Sequence, residues 1–340
     1  MRHACLALLL SLVTGVVQAF EIEESRRYPA PGGTELRILS TADADVFEPI
    51  IAAFQALHPI PITYDVASSA QVMTALYDEN ATYDLAISSA MDLQTKLAND
   101  GLAQRYSSDA TAALPPWAKW RDRVFAFTQE PAVLVLNAQA FEALDIPKNR
   151  EGLIALLRDH PQVFDGRVGT YDVRVSGLGY LFATQDSRNT ESFWRLTEVM
   201  GRLNTRLYCC SGEMINAVAH GELALAYNVL GSYAQARLQD TPGIVIVEMD
   251  DFVSVMLRTA VIPQTAEAPQ AAGLMIDFLA AMRLRPDLAT ATGLPPVVSG
   301  AGEDENVIRP IRLGPGLLVF LDRLRRDTFL RSWVSSIEQE

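Results

Sequence analysis

The chain has 340 residues, 28 of them basic and 41 acidic, a formal charge of −13 at pH 7, and 49% are hydrophobic. That length exceeds the usual single compact core and predicts two lobes. The acidic balance makes nucleic acid a poor partner, because a basic stripe is the usual footprint of such binding, while it leaves the sign of a local pocket open.

Arg2 and His3 precede an apolar run from Ala4 to Val17, which closes on Val17-Gln18-Ala19. The run is shorter than the roughly 20 residues of a membrane-spanning helix, and small or branched residues before Phe20 suit a signal peptidase. Residues 1–19 therefore read as a cleaved signal peptide, with no lipobox before Cys5, and the mature protein is expected outside the cytoplasm. Only Cys209 and Cys210 then remain. Adjacent cysteines cannot staple distant elements, and two buried thiols or a vicinal disulfide are both open.

From Phe20 to Thr34, proline, glycine and charge without apolar period predict an extended leader. Three repeats of one pattern follow: strand Leu36–Leu39, turn Ser40-Thr41, helix Val46–His58; strand Ile62–Val66, turn Ser68-Ser69, helix Ala70–Tyr77; strand Tyr83–Ile87, turn Ser88-Ser89, helix Met91–Asn99. Such alternation predicts an α/β lobe with a largely parallel sheet, whose helix-starting loops gather at the carboxyl edge of the strands.

The β-prone run Arg123–Asn137 is interrupted by Pro131, which argues against a regular central strand there. A strand that leaves one sheet and enters another fits this pattern, and Val253–Pro263 provides the return. Between them, helices at Arg150–Leu157 and Ser192–Leu203 alternate with strands at Gly169–Val173 and Leu223–Val229. The division expected is 35–130 plus 250–300 for the first lobe and 131–249 for the second. After the return come a helix over Pro269–Met282, a turn at Leu294–Pro296, and a C-terminal loop and helix in 301–340 whose lobe is left open; the helix spans Phe320–Ser335.

Helix starts carry unpaired N–H groups and a partial positive charge. If Ser40, Thr41, Ser68, Ser69, Ser88, Ser89 and Ser176 face one crevice, they form a cradle for a carboxylate or phosphate. The competing reading of each is an ordinary N-cap. The loop Asp172–Tyr180 adds Gly177, which permits close backbone approach, and Arg174, either an anion clamp or a surface ion-pair partner. Tyr227 and Asn228 form a further polar strand end. His58, His160 and His220 sit at expected helix ends. The nucleophile elbow, zincin, C-x-x-C and Walker motifs are absent from the sequence, so neither an enzyme nor a cofactor is expected.

The segments Leu36–Asp43, Tyr83–Ser89, Gln129–Asn137, Ser176–Tyr180, Gly221–Tyr233 and Gly314–Val319 together resemble, in order and spacing, the extracellular solute-binding proteins of ABC transporters. The resemblance is to the type 2 periplasmic-binding-protein class, which includes ferric-iron binders and the phosphoglycerate-transport regulatory binding protein. It implies an α/β protein of two hinged lobes and a monomeric periplasmic receptor that closes on a small solute. Its listener would be an ABC permease or a membrane sensor histidine kinase. Ferric members use neighbouring tyrosines, often with a histidine; here Tyr227 and Tyr233 are the available pair and Ser40 and Thr41 stand where a histidine would. A small organic or phosphorylated acid is therefore the favoured ligand and ferric iron the alternative.

Overall fold

The computed structural model describes residues 20–238, 241, 243–298 and 307–339. The expected signal peptide lies outside the described residues, among which no helix is long and apolar enough to cross a membrane.

Among the described residues, twelve strands join into one sheet. The first four are β1 (Glu24–Tyr28), β2 (Leu36–Ser40), β3 (Ile62–Val66) and β4 (Leu85–Ser88). β2 lies between β3 and β4 and parallel to both. The helix Ala44–Leu57 connects β2 to β3 and buries Phe47, Ile50, Ile51 and Phe54 on one stripe. That stripe forms the core on one side of the sheet, where Phe47 stacks on Tyr64 with ring centroids 5.2 Å apart. The second helix is shorter than its apolar period predicts: Ser69–Met73 is α-helical and a wider π turn continues over Thr74–Asp78.

The leader is corrected by the structure. Part of it is β1, antiparallel to β3 from Glu24 opposite Val66 to Tyr28 opposite Ile62. Ser25 Oγ donates to Asp65 Oδ1 at 2.5 Å and Arg26 pairs with Asp45 at 2.6 Å. A charged edge strand shows no alternation of apolar residues, which hid it from the sequence.

The remaining strands are β5 (Lys119–Trp120), β6 (Val124–Asn137), β7 (Val168–Tyr171), β8 (Arg206–Tyr208), β9 (Leu225–Leu230), β10 (Ile244–Val247), β11 (Val253–Val261) and β12 (Ile308–Pro310). β6 runs unbroken through Pro131, contrary to the expected interruption. Its first half pairs antiparallel with β11, ending at Pro131 opposite Val255, and its second half pairs with β9, beginning at Ala132 opposite Leu230. The missing N–H thus falls where β6 is handed from one partner to the next, a position at which no regular ladder bond is lost. β9, β7 and β8 are mutually parallel in that order and complete the second lobe.

The C-terminal helix Arg323–Ile337, capped by Asp322, packs Phe329, Trp333 and Ile337 into the second lobe's core beside Phe193 and Leu196. It follows a short 3-10 turn at Pro315–Leu321, so it starts later than the sequence predicts. A further apolar cluster runs through the junction and joins Leu39, Ala86 and Met91 to Val133, Tyr171 and Leu230.

Candidate functional site

The carboxyl ends of β2, β3 and β4 face the second lobe across a cavity of about 500 Å³. Thr41, Ser68, Ser69 and Ser89 line the first wall. Thr41 Oγ1 accepts the Ser89 amide at 3.0 Å, tying two turns together, and Ser68 caps its helix by accepting from Gln71 N. Ser176 lines the second wall while accepting from Gly179 N at 3.1 Å. These hydroxyls are both caps and cavity wall, so the two readings are not exclusive.

Six expected residues lie outside the wall, each for a local reason. Ser40 and Ser88 precede wall residues, but neighbouring side chains of extended chain point in opposite directions. Ser40 Oγ accepts Ala42 N at 3.0 Å and the Tyr64 hydroxyl at 2.7 Å, and Ser88 Oγ accepts Ala90 N at 3.1 Å. Arg174 is occupied by its own loop: Nε and Nη2 grip the two Asp172 oxygens at 2.8 and 2.7 Å, and Nη1 reaches Glu338 at 2.6 Å. Tyr227 and Asn228 turn into the second lobe, where the Tyr227 hydroxyl and Asn228 Nδ2 donate to Asp186 at 2.7 and 2.8 Å and Arg150 Nε donates to Tyr227 at 2.9 Å. Gly177 sits at the seam beside the cavity, its amide donating to Ser69 Oγ at 3.0 Å.

The Ser69–Gly177 bond is one of the polar contacts between the lobes at this cavity. Asp43 N donates to the Tyr233 hydroxyl at 3.3 Å, and Arg237 stands 4.0 Å from the Asp43 carboxylate. Tyr233 lines the cavity and Tyr227 does not, so the two phenols do not converge. Burial pushes the Tyr233 phenol up to about 12. The Cys209 and Cys210 sulfurs are joined, which selects the vicinal disulfide from the two open readings, and the pair forms part of the second wall.

Arg258 is the residue that sequence reasoning missed. It stands in the middle of β11, has no exposed surface, and reaches the cavity wall. Nε and Nη2 donate to the two Glu130 oxygens at 2.9 and 3.1 Å. Thr128 Oγ1 and Ser232 Oγ also donate to that carboxylate. Burial alone would raise the Glu130 carboxyl, but the Arg258 charge and these donors hold it below its ordinary value. Nη1 of Arg258 is buried without a hydrogen-bond partner among the described residues. The signal was a lone arginine in the otherwise uncharged run Val253–Ile262, since a fully buried charge requires a partner.

At the seam, a Cβ on Gly177 would stand 2.6 Å from Ser69 Oγ and 3.0 Å from Leu93 Cδ1. Gly177→Ala is therefore expected to oppose lobe contact and weaken solute affinity about ten-fold, an overpacking cost of roughly 1–2 kcal/mol. Calorimetric titration with the solute retained by the wild type, beside melting of the unliganded protein, checks this. An unchanged affinity would remove the seam from the closing motion.

Comparison with known proteins adds the following. A profile described as bacterial extracellular solute-binding protein matches residues 36–285. The chain superimposes on a solved substrate binding protein of an ABC transporter from Agrobacterium tumefaciens with a TM-score of 0.85 and 30% identity, over 92% of this chain and 98% of that one. It is also similar to the periplasmic binding protein AfuA from Actinobacillus pleuropneumoniae, solved with fructose-6-phosphate (TM-score 0.72, 14% identity, 90% and 99% covered). Iron-bound HitA from Pseudomonas aeruginosa follows at a TM-score of 0.68 and 18% identity, with 89% and 99% covered. The last two share the fold. A search of curated proteins finds no match.

Proposed function

The chain belongs to the bacterial extracellular solute-binding proteins, and from that premise we propose that it is a periplasmic receptor which closes on a small organic or phosphorylated acid and delivers it to an ABC permease. The observation that carries the acid is Arg258, a fully buried arginine among the residues that line the cavity, whose Nη1 has no hydrogen-bond partner among the described residues. Such a group is costly to leave unpaired, and an anionic oxygen satisfies it by a charge-assisted bond. The hydroxyls of Thr41, Ser69, Ser89 and Ser176 surround the same space and supply further donors.

The hinge in this reading lies where β6 and β11 cross, between a first lobe of 35–130 plus 250–300 and a second of 131–249. Contacts such as Ser69 with Gly177 form only when the lobes meet, so a solute touching both walls shifts the population toward the closed form. The ferric alternative gains little support, because Tyr227 is committed to Asp186 and Arg150 and the raised Tyr233 phenol resists ionisation. Export fits the amino-terminal geometry. Phe20 N lies 3.0 Å from Glu79 Oε1, so cleavage before Phe20 would place the new ammonium on a carboxylate.

Native mass spectrometry of protein purified gently from the periplasm is expected to find one small acid retained, and adding it back after removal should raise the melting temperature and shrink the scattering envelope. Retention of ferric iron, or turnover of the acid, would overturn the reading.

A further inference from the structure

The charges around the cavity are not those of a site for a plain anion. Two arginines, Arg237 and Arg258, and three carboxylates, Glu23, Asp43 and Glu213, line it. The Arg258 charge is already matched by Glu130, which grips it with both oxygens. Arg237 answers Asp43 from 4.0 Å and spends Nη1 on Gly212 O and Asn216 Oδ1, each at 3.0 Å. The wall therefore carries excess negative charge, and it carries it away from the arginine floor. Arg258 is fully buried, whereas Glu23 and Glu213 are exposed at the rim and Asp43 is half-buried.

The carboxylates also come from opposite lobes. Glu23 precedes β1, with its amide donating to Val66 O at 2.8 Å, and Asp43 precedes the helix Ala44–Leu57. Glu213 belongs to the first turn of the helix Ser211–Ala219 in the second lobe. Closure brings like charges together. The Glu23 carboxyl is raised by burial and then by the charges of Asp43, Glu21 and Glu213, and the Asp43 carboxyl is raised by burial against the opposing pull of Arg237 and Arg258.

We infer, resting on the acid-receptor reading, that the solute is a zwitterion: its acid group meets Arg258 Nη1 on the floor while an ammonium group sits between Glu23, Asp43 and Glu213 at the rim. The ammonium would then relieve the repulsion that closure creates, so the cationic end does the drawing together and the anionic end sets the depth. The class is an amine-bearing carboxylate, phosphonate or phosphate short enough for the cavity.

Titration calorimetry of the full mature chain with γ-aminobutyrate and aminopropylphosphonate, beside butyrate and propylphosphonate, tests this. The amine-bearing acids are expected to bind at least about ten-fold more tightly than their amine-free counterparts. Glu23→Gln and Glu213→Gln should each erase about ten-fold of that preference and leave the binding of amine-free acids unchanged or tighter, with melting of the unliganded protein unimpaired. Equal binding of both kinds, or a preference that survives both substitutions, overturns the zwitterion while the acid reading stands. If no acid of either kind binds, both readings fall.

Discussion

Arg258→Lys will lower solute affinity by about 30–100-fold, roughly 2–3 kcal/mol, the range for truncating a buried charge-assisted contact. Lysine keeps a positive charge near Glu130, so the pair that joins β6 to β11 survives in part. It cannot keep two donors on that carboxylate and a third left over for a solute, because the guanidinium fork is lost. Titration of the retained solute against wild type and variant gives the change. A variant that binds like the wild type would place the acid elsewhere in the cavity. In the proposed reading, the group that would sense the solute is held by the two strands about which the lobes would turn, β6 through Glu130 and β11 through its own backbone.

Glu130→Ala is expected to be the most destabilising single change, by about 3–5 kcal/mol, because it leaves a buried guanidinium without its counter-charge. For a chain of this size that corresponds to a fall of about 4–7 °C in melting temperature. The pH dependence gives a second readout. Glu130 is held below its ordinary 4.5 in the folded state, so its contribution is fully present above that value and is lost as pH falls through the lower folded value. Wild-type stability should therefore decline over that acid interval, and the variant should lack this component. Melts across the range, with secondary structure followed by circular dichroism, check both effects. A drop below about 1 kcal/mol would mean that the pair contributes no more than an exposed ion pair.

The fold was legible because strands here are bounded by turns rich in hydroxyl residues. Strand, turn and helix in the first lobe could be read from residues such as Leu36, Ile38, Phe47 and Ile50, all of which are buried. The two long strands around Pro131 and Arg258 were legible from the length of their β-prone runs, and they pair with each other as β6 and β11. β1 was not, since Arg26 and Arg27 on an edge strand mimic an irregular leader. In the candidate site, sequence located the turns but not the direction of each side chain. Ser89 faces the cavity and Ser88 the interior, a difference set by one residue of extended chain. Arg174 looked like a clamp, but Asp172 two residues away fills it, a local pairing that only geometry reveals. Arg258 and the facing carboxylates of Glu23, Asp43 and Glu213 come from distant segments, and no spacing along the chain announces their meeting.

The bond between Cys209 and Cys210 has a different kind of consequence. Cross-links restrain an unfolded chain in proportion to the logarithm of the loop they close, and neighbours enclose essentially none. Its influence thus falls on the chamber's contour and on the non-hydroxylic surface offered to a guest, not on the persistence of the fold. Because such a bond endures only where thiols are kept oxidised, the finished contour belongs to the exported protein, and a precursor still in a reducing compartment would present two thiols at that wall instead.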